Sequence, residues 1–255
     1  MLLAVDIGNT NIVFGLFQEN KLVSTWRSET SHKKSIKEYS REINEVLVSS
    51  SVKPEEIKSI IVSSVVPEMD GIISELFLDL FSVEAKFVNA DLIKDLKVLV
   101  KNKDEVGADR LVNALAAYKL YGGPAVIVDF GTATTFCAVT EKGEYLGGAI
   151  APGIGMARDS LHEKTAKLPK IDIDFPEKAI GGDTVEAMRS GLFFGYLALV
   201  EGMIKRFKEE LGKEAKVIAT GGFAGMLQKK IKIFDAVNQN LTLEGLRMVW
   251  EAKGD

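Results

Sequence analysis

Two short segments of the chain share one arrangement of an aspartate, a glycine and small polar residues. Residues 4–11 read AVDIGNTN and residues 127–134 read IVDFGTAT, at a constant offset of 123 residues with no gap. The glycine after each aspartate lets the backbone turn tightly and approach a ligand closely. Successive backbone N–H groups in such a turn form a concavity that binds anions. The side chains that follow add donors for phosphate oxygens, and they are Thr10, Asn11, Thr132 and Thr134.

Asp6 gives the first of these loops a second use, since a carboxylate can hold Mg²⁺ directly or through water. An ordinary type I′ hairpin is the alternative, because Gly-Asn is a normal choice for that turn. One copy alone favours the hairpin. Two copies in related positions favour two phosphate loops that face each other across a cleft.

A third glycine turn, Thr220-Gly221-Gly222, stands between a predicted strand and a predicted helix. Its glycines allow close approach of a flat ring or a sugar at the start of the helix. The signal is weak by itself, because many strand–helix turns contain glycine. The chain has neither the spacing of a dinucleotide-binding fingerprint nor that of a Walker loop.

Asp109 and Arg110 are adjacent at the start of a predicted helix, in the run Gly107-Ala108-Asp109-Arg110. A carboxylate near a helix N-terminus is stabilised as the anion. It can accept the proton of an attacking primary hydroxyl, as the base of a kinase does. The fork of donors on arginine suits the carboxylate of an acceptor molecule. A helix-capping aspartate beside a surface arginine is the alternative.

The elements that must position these residues follow an α/β pattern. Each copy of the repeat opens a predicted three-stranded meander, and the repeat predicts two duplicated domains, residues 1–121 and 122–255. Helices are predicted over residues 35–49, 72–81 and 106–121, from 183 or 184 onward and from 224, and further strands over 59–66, 85–88 and 216–219.

The long helix that begins near residue 184 is apolar on all sides over residues 191–200. We expect this part to be buried between two surfaces. Gly191 and Gly195 lie on one face and permit close approach of another backbone. Two explanations of this apolar segment stay open, which are packing in the core and an interface between subunits or domains.

Composition places the chain among ordinary globular proteins. Its 255 residues are 46% hydrophobic and 27% charged, with a net charge of −4, which excludes disordered, collagen-like and disulfide-framework chains. A mildly acidic chain without a basic run is a poor nucleic-acid binder. The lone cysteine, Cys137, cannot form an internal disulfide or a multi-cysteine metal site. We find no signal-peptide pattern and no full membrane span, and expect a cytoplasmic protein without a membrane partner.

The two aspartate loops and the Gly221-Gly222 turn resemble the two phosphate loops and the adenosine loop of the acetate and sugar kinase, Hsc70 and actin superfamily. Residues 105–114 (EVGADRLVNA), 63–67 (SSVVP) and 147–153 (GGAIAPG) resemble type III pantothenate kinase within it. The resemblance runs in order over nearly the whole chain. It implies an α/β fold of two duplicated ribonuclease-H-like domains with mixed sheets and flanking helices. It also implies ATP-dependent phosphorylation of pantothenate to 4′-phosphopantothenate, the first step towards coenzyme A.

The resemblance further implies roles for single residues. Asp109 is the catalytic base. The acceptor is bound by Gly107, Ala108, Asp109, Arg110, Val100 and Thr184. ATP is bound by Asp6, Ile7, Gly8, Asn9, Thr10, Asn11, Ile12, Val13, Gly131, Thr132, Thr134, Gly221 and Gly222, with Mg²⁺ at Asp6. Asp129 holds a monovalent cation, K⁺ or NH₄⁺.

Thr184 is implied to reach the acceptor from the other subunit of a homodimer, and a role in the turn that starts its helix is the alternative. Val100 and Lys103 stand where the family commonly has tyrosine and proline. These two changes bear on acceptor affinity and not on the class of reaction.

Two other functions stay open. Another enzyme of the superfamily, a small-acceptor kinase or a phosphohydrolase, would use the same loops, and a phosphohydrolase would need no organic acceptor. A non-enzymatic regulator is the second alternative, since some relatives are accessory factors in gene regulation. Such a regulator should have lost Asp109 or the phosphate loops, and this sequence keeps both.

Overall fold

The structure is a computed structural model that describes residues 1–252. The strands are β1 (Leu2–Ile7), β2 (Asn11–Gln18), β3 (Lys21–Glu29), β4 (Ser59–Ser64), β5 (Ala85–Phe87), β6 (Lys97–Val98), β7 (Ala125–Phe130), β8 (Ala133–Val139), β9 (Glu144–Pro152), β10 (Lys216–Thr220) and β11 (Ala236–Val237). The α-helices are α1 (Ile36–Ser49), α2 (Pro67–Phe81), α3 (Ala108–Tyr121), α4 (Ile154–Glu163), α5 (Thr184–Ser190), α6 (Tyr196–Leu211), α7 (Ala224–Gln228) and α8 (Leu241–Glu251). A π-helical segment, Gly191–Gly195, joins α5 to α6, and short 3₁₀ turns occupy Pro54–Glu56 and Ala90–Leu92.

The chain divides into two compact units. Unit 1 holds Met1–Leu120 together with the C-terminal segment from Asn240, and unit 2 holds Tyr121–Gln239. The repeat predicted this C-terminal segment in the second domain, residues 122–255, and the structure differs. Helix α8 packs against β1, β2 and β4 of unit 1, with Leu243 so close over Gly15 that a Cβ on that glycine would lie 2.8 Å from it.

Unit 1 is built on a sheet of strand order β3-β2-β1-β4-β5. The meander β1-β2-β3 is antiparallel, whereas β4 and β5 add in parallel to β1. Asp6 pairs with Ser63, and Ile7 with Ser64. The carboxyl ends of β1 and β4 therefore meet at one edge of the sheet, where the first aspartate loop begins.

Helices α1 and α2 supply the core of unit 1. Helix α1 starts at a capping box in which Ser35 and Glu38 bond to each other's backbone N–H groups. The apolar side chains that these helices share with the sheet are Tyr39, Ile43, Leu47, Met69, Ile73, Leu76 and Phe77. The core anchors the strands that carry the loop.

Unit 2 has the strand order β11-β10-β7-β8-β9 among its own strands. The meander β7-β8-β9 is antiparallel, and β10 lies parallel to β7. Thr220 pairs with Asp129. The register therefore brings the diglycine turn after β10 beside the second aspartate loop.

The structure confirms the predicted repeat. Strands β7 and β9 match β1 and β3 residue for residue at the offset of 123. In each unit, a parallel strand also lies beside the first strand of the meander. Both units are mixed sheets with flanking helices, which is the predicted fold class.

The predicted long helix is present, with Asp183 as its N-cap. Its apolar middle is covered on one side only within this chain: Leu192, Phe193 and Tyr196 are buried, whereas Gly195 and Leu199 are exposed. Within residues 1–252, the run Thr184–Leu211 is the one helix long and apolar enough to cross a membrane by length and composition alone, and 39% of its apolar window is buried. Core helices of soluble proteins meet the same criterion, so this is weak support for a span.

Candidate active site

The turn after β1, residues 8–11, forms loop 1 and is fixed by Thr30. The N–H of Gly8 donates to the carbonyl of Asn11 at 3.0 Å. The Thr30 hydroxyl donates to the Gly8 carbonyl at 2.7 Å, and the Thr30 N–H donates to the Thr10 carbonyl at 3.0 Å. Asn9, Thr10 and Asn11 are exposed. Loop 1 is therefore a donor-rich tip on a braced backbone, as an anion-binding turn requires.

The apolar neighbours of loop 1 face the core. Ile7 and Ile12 are fully buried, so they support the loop from beneath and can offer a ligand only their backbone. Val13 is half-buried.

Asp6 is half-buried near the end of β1, and Ile7 separates it from loop 1. Its strand partner Ser63 is fully buried, with a hydroxyl that has no hydrogen-bond partner among residues 1–252. No group of three or more His, Cys, Asp or Glu side chains within residues 1–252 could hold a metal ion. A single carboxylate suits Mg²⁺ that takes its other ligands from substrate phosphates and water, so Asp6 fits that ion.

Asp109 lies in the first turn of α3, where its Oδ1 accepts the N–H of Arg110 at 2.8 Å. The carboxylate folds back over Gly107: a Cβ on that glycine would lie 2.4 Å from Asp109 Oδ1 and 3.3 Å from Val65 Cγ1. Glycine at position 107 is what leaves room for the carboxylate.

Burial raises the pKa of Asp109 above its ordinary value of 3.8, while the N–H and the charge of Arg110 act in the opposite direction. Desolvation disfavours the charged form of a carboxyl group. Asp109 is therefore a stronger base than an exposed aspartate, which suits a group that takes a proton from a hydroxyl.

The structure gathers four of the predicted acceptor residues, Gly107 to Arg110, in one helical turn. Ala108 is buried and Arg110 is half-buried beside Asp109. Val100 is half-buried in the loop between β6 and α3.

Two predicted features of unit 2 meet at Asp129, which are the second aspartate loop and the Gly221-Gly222 turn. A Cβ on Gly221, which has φ +88°, would lie 2.4 Å from Asp129 Oδ1, and a Cβ on Gly131 would lie 3.7 Å from the same atom. The carboxylate thus lies between residues 131–134, which form loop 2, and the Gly221-Gly222 turn. Gly222 is exposed. Backbone approaches this close leave no room for a side chain at position 221.

Thr134 differs from the other residues of loop 2. Gly131 and Thr132 are exposed, but Thr134 is fully buried and its hydroxyl is hydrogen-bonded to the Tyr196 hydroxyl. The prediction that this hydroxyl donates directly to phosphate therefore does not match its position. Alternation along β8 explains the difference, because it turns Thr134 inward at the point where the strand begins.

Thr184 is exposed as the first residue of α5, and the cap is made by Asp183, whose Oδ1 accepts the N–H of Glu186 at 2.8 Å. Thr184 lines a groove of about 780 Å³ in unit 2. The groove also includes Pro152, which pairs with Ala133 of loop 2. Within unit 2, Thr184 therefore lines a groove that reaches loop 2. Its side chain does not cap the helix, because Asp183 makes that cap.

Sequence reasoning missed three residues that shape these loops: Thr30, Gly153 and Tyr196. Gly153 is the N-cap of α4, and a Cβ on it would lie 2.2 Å from the Thr132 carbonyl oxygen. Its place in the GGAIAPG motif was a usable signal. Thr30 lies in a polar segment and Tyr196 in an apolar helix, so neither carried a signal.

Comparison with known proteins identifies the family of this chain. The family model for type III pantothenate kinase matches residues 2–206. The type III pantothenate kinase of Moorella thermoacetica is 43% identical over 251 residues, which cover 98% of this chain and 99% of the relative.

Two solved structures are similar in fold at low sequence identity. A Campylobacter jejuni protein described as a Baf family transcriptional activator is 20% identical with a TM-score of 0.60, covering 98% of each chain. A Sinorhizobium meliloti protein described as a 2-dehydro-3-deoxygalactonokinase is 12% identical with a TM-score of 0.58, covering 100% of this chain and 99% of that one. On the family match and the whole-length identity, this chain belongs to the type III pantothenate kinase family.

Proposed function

We propose that this chain transfers the γ-phosphoryl group of ATP to pantothenate, with Asp109 as the base. The reaction follows from the family: ATP-dependent phosphorylation of pantothenate to 4′-phosphopantothenate, the first step of coenzyme A biosynthesis. The observation that carries the role of Asp109 is its buried carboxylate, folded over Gly107 with Arg110 beside it.

The proposed step begins at the primary hydroxyl of pantothenate. Its proton passes to an oxygen of Asp109, and the hydroxyl oxygen forms a bond to the γ-phosphorus. The bond from that phosphorus to the oxygen bridging it to the β-phosphate breaks, and ADP leaves. Positioning and charge stabilisation dominate catalysis of such transfers, so a base of raised pKa in a fixed turn is the contribution expected from Asp109.

Arg110 is proposed to pair with the carboxylate of pantothenate. A guanidinium offers a planar fork that matches a carboxylate in two parallel hydrogen bonds. Gly107, Ala108 and Val100 complete this part of the acceptor site in unit 1.

Loop 1 and loop 2 are proposed to bind the phosphates of ATP, with backbone N–H groups and the exposed side chains of Asn9, Thr10, Asn11 and Thr132 as donors. The Gly221-Gly222 turn is proposed for the adenosine. Mg²⁺, held in part by Asp6, supplies charge neutralisation on the phosphates.

Asp129 is proposed to hold a monovalent cation, K⁺ or NH₄⁺. Its carboxylate lies against the backbones of loop 2 and Gly221, where it would repel a nearby phosphate unless a cation stood between them. With the cation bound, Asp129 would favour the binding of ATP.

The working unit is proposed to be a homodimer in which Thr184 contacts pantothenate bound by the other subunit. The side chain is exposed on a groove, and the apolar helix behind it has Gly191 and Gly195 on an open face. We propose a cytoplasmic location, with no nucleic-acid or membrane partner, in line with a net charge of −4 and the single cysteine.

A coupled assay for ADP tests this function. It compares ATP and Mg²⁺ with pantothenate, without pantothenate, and with K⁺, NH₄⁺ or Na⁺ as the monovalent cation. We expect ADP release that depends on pantothenate and is activated by K⁺ or NH₄⁺, with loss of that activation in Asp129→Ala. ADP release without an acceptor would indicate a phosphohydrolase instead, and full activity in Na⁺ alone would remove the cation from Asp129.

A further inference from the structure

Tyr196 is a buried tyrosine that the proposed mechanism does not use. Its hydroxyl bonds to Thr134 at the start of β8 and accepts the backbone N–H of Ile154, the first residue of α4. Its ring packs edge-on against Phe130, with 6.2 Å between centroids. One hydroxyl therefore joins three elements that surround loop 2.

Both partners of Tyr196 adjoin loop 2, although they come from different elements. Thr134 closes loop 2, and Ile154 follows Gly153, whose Cα packs directly on loop 2. A Cβ on Gly153 would lie 2.2 Å from the Thr132 carbonyl oxygen and 2.8 Å from that of Gly131. A movement at Thr134 or at the start of α4 is therefore passed on to the two exposed residues of loop 2.

The tyrosine hydroxyl is suited to hold this arrangement in one state. Burial is the largest of the effects on this hydroxyl, and it raises the pKa of Tyr196 to about 12. The hydroxyl therefore keeps its proton throughout the physiological range. The same hydroxyl stays bonded to the hydroxyl of Thr134, a bond in which either oxygen can be the donor. Removing the hydroxyl would leave two buried polar groups without this partner, a costly arrangement in a protein interior.

The helix around Tyr196 is also irregular. Tyr196 follows directly on the π-helical segment Gly191–Gly195. Single π turns within α-helices are uncommon and are frequent at functional sites.

We propose that Tyr196 is a positioning residue for nucleotide binding, which acts through Thr134 and Ile154 to hold loop 2 in its phosphate-binding shape. The inference rests on the proposed function in one respect, that loop 2 binds the phosphates of ATP. Tyr196 itself touches no substrate in this proposal.

Calorimetric titration with AMP-PNP and Mg²⁺ tests the proposal without requiring turnover. Tyr196→Phe keeps the ring and removes the hydroxyl. We expect its Kd for AMP-PNP to rise roughly 3- to 10-fold, the effect of one lost neutral hydrogen bond, while KM for pantothenate stays within about 2-fold in the ADP assay. Thr134→Val should give a similar rise and Thr134→Ser should restore wild-type binding, since serine keeps the hydroxyl.

Two further variants separate positioning from general stability. Tyr145→Phe removes the hydroxyl of another fully buried tyrosine of unit 2, which contacts Cys137 Sγ at 3.5 Å, and should leave the Kd unchanged. Combining Tyr196→Phe with Thr134→Val should weaken binding no more than Tyr196→Phe alone, because the bond that Thr134→Val breaks is already lost.

Unchanged AMP-PNP binding in Tyr196→Phe, or equal weakening in Tyr145→Phe, would overturn the proposal, as would fully additive effects of the two changes. Failure of the kinase function has a different signature, which is wild-type protein that binds AMP-PNP but releases no pantothenate-dependent ADP. Wild-type protein that does not bind AMP-PNP would overturn both.

Discussion

Burial of the Asp109 carboxylate has opposite consequences for activity and for stability. A raised pKa makes the group a better base, yet the folded chain then binds the proton more tightly than the unfolded chain does. The stability that protonated Asp109 provides is present below its unfolded pKa, near 3.8, and is lost as the pH rises through the raised folded value. At neutral pH the ionised carboxylate therefore weakens the fold.

Asp109→Asn should separate these two consequences. We expect turnover to fall by roughly 10²- to 10⁴-fold, as for loss of a general base, and urea unfolding at pH 8 to show a variant more stable than wild type. The stability difference should shrink towards pH 4. Asp79→Asn, at an exposed position of α2, is the charge-matched control and should show neither change. Near-normal turnover of Asp109→Asn would remove Asp109 from the mechanism.

The close contact between Gly107 and the Asp109 carboxylate leads to a second prediction. In Gly107→Ala the new methyl group would meet Asp109 Oδ1, the end of a side chain that can rotate away. We expect turnover to drop at least about 10-fold, because misplacement of a catalytic group by about 1 Å is costly, with little change in the free energy of unfolding.

Gly71→Ala is the matched control for this change. An added Cβ at Gly71, within α2, meets nothing within 4 Å, so it should stabilise the protein by about 0.5–1 kcal/mol without altering turnover. If Gly107→Ala retained full turnover, the carboxylate would not need the position seen here.

At the scale of elements, the start of α5 divides two tasks between neighbouring residues. Asp183 accepts the Glu186 N–H, while Glu186 Oε2 accepts the N–H of Gly182 at 2.7 Å. Thr184 is left exposed beside this cap. The arrangement predicts that stability and acceptor binding depend on different side chains.

Asp183→Ala should lower the free energy of unfolding by about 0.5–2 kcal/mol, the usual cost of a lost N-cap. Thr184→Val should leave the unfolding transition in place and raise KM for pantothenate up to about 10-fold, through loss of one hydrogen bond. Denaturant titration and steady-state kinetics of the two variants measure both quantities. A destabilised Thr184→Val protein with normal KM would make Thr184 a structural residue only.

For the whole molecule, the open question is what covers the second side of the long helix. Outside their own helix backbone, an added Cβ on Gly191, Gly195 or Gly202 meets no atom of residues 1–252 within 4 Å. Leu199 is exposed beside them. Small residues on an apolar face permit close approach of another backbone. In the proposed homodimer, a second copy of the chain packs against this face.

Mixing two inactive variants, Asp109→Asn and Thr184→Arg, tests a site shared between subunits. Random exchange of equal amounts makes half of the dimers mixed, each with one intact site, so about a quarter of the normal number of sites should recover. Dimer exchange is verified by native mass spectrometry. Verified exchange without recovered activity would place the whole site within one chain.

Local sequence patterns were sufficient for the repeat and for most elements. The aspartate, glycine and hydroxyl spacing marked both loops, since turn geometry and strand alternation depend on neighbouring residues. Helix α1 was predicted over residues 35–49 from the spacing of its apolar residues, and the structure places it at Ile36–Ser49. Helix α2 begins at Pro67 and not at residue 72, since proline is well suited to a first helical turn and the apolar pattern starts later.

Tertiary structure alone decided the features that depend on distant partners. Helix α8 joins unit 1 because Leu243 packs over Gly15, a contact between segments far apart in the chain. The hydroxyl of Thr134 is bonded to that of Tyr196, and no spacing rule links those two positions. The sequence by itself determined which residues could do phosphoryl-transfer chemistry, since residue type and turn geometry are local. Only the fold decided their burial, and therefore the raised pKa of Asp109, because desolvation depends on everything packed around a group.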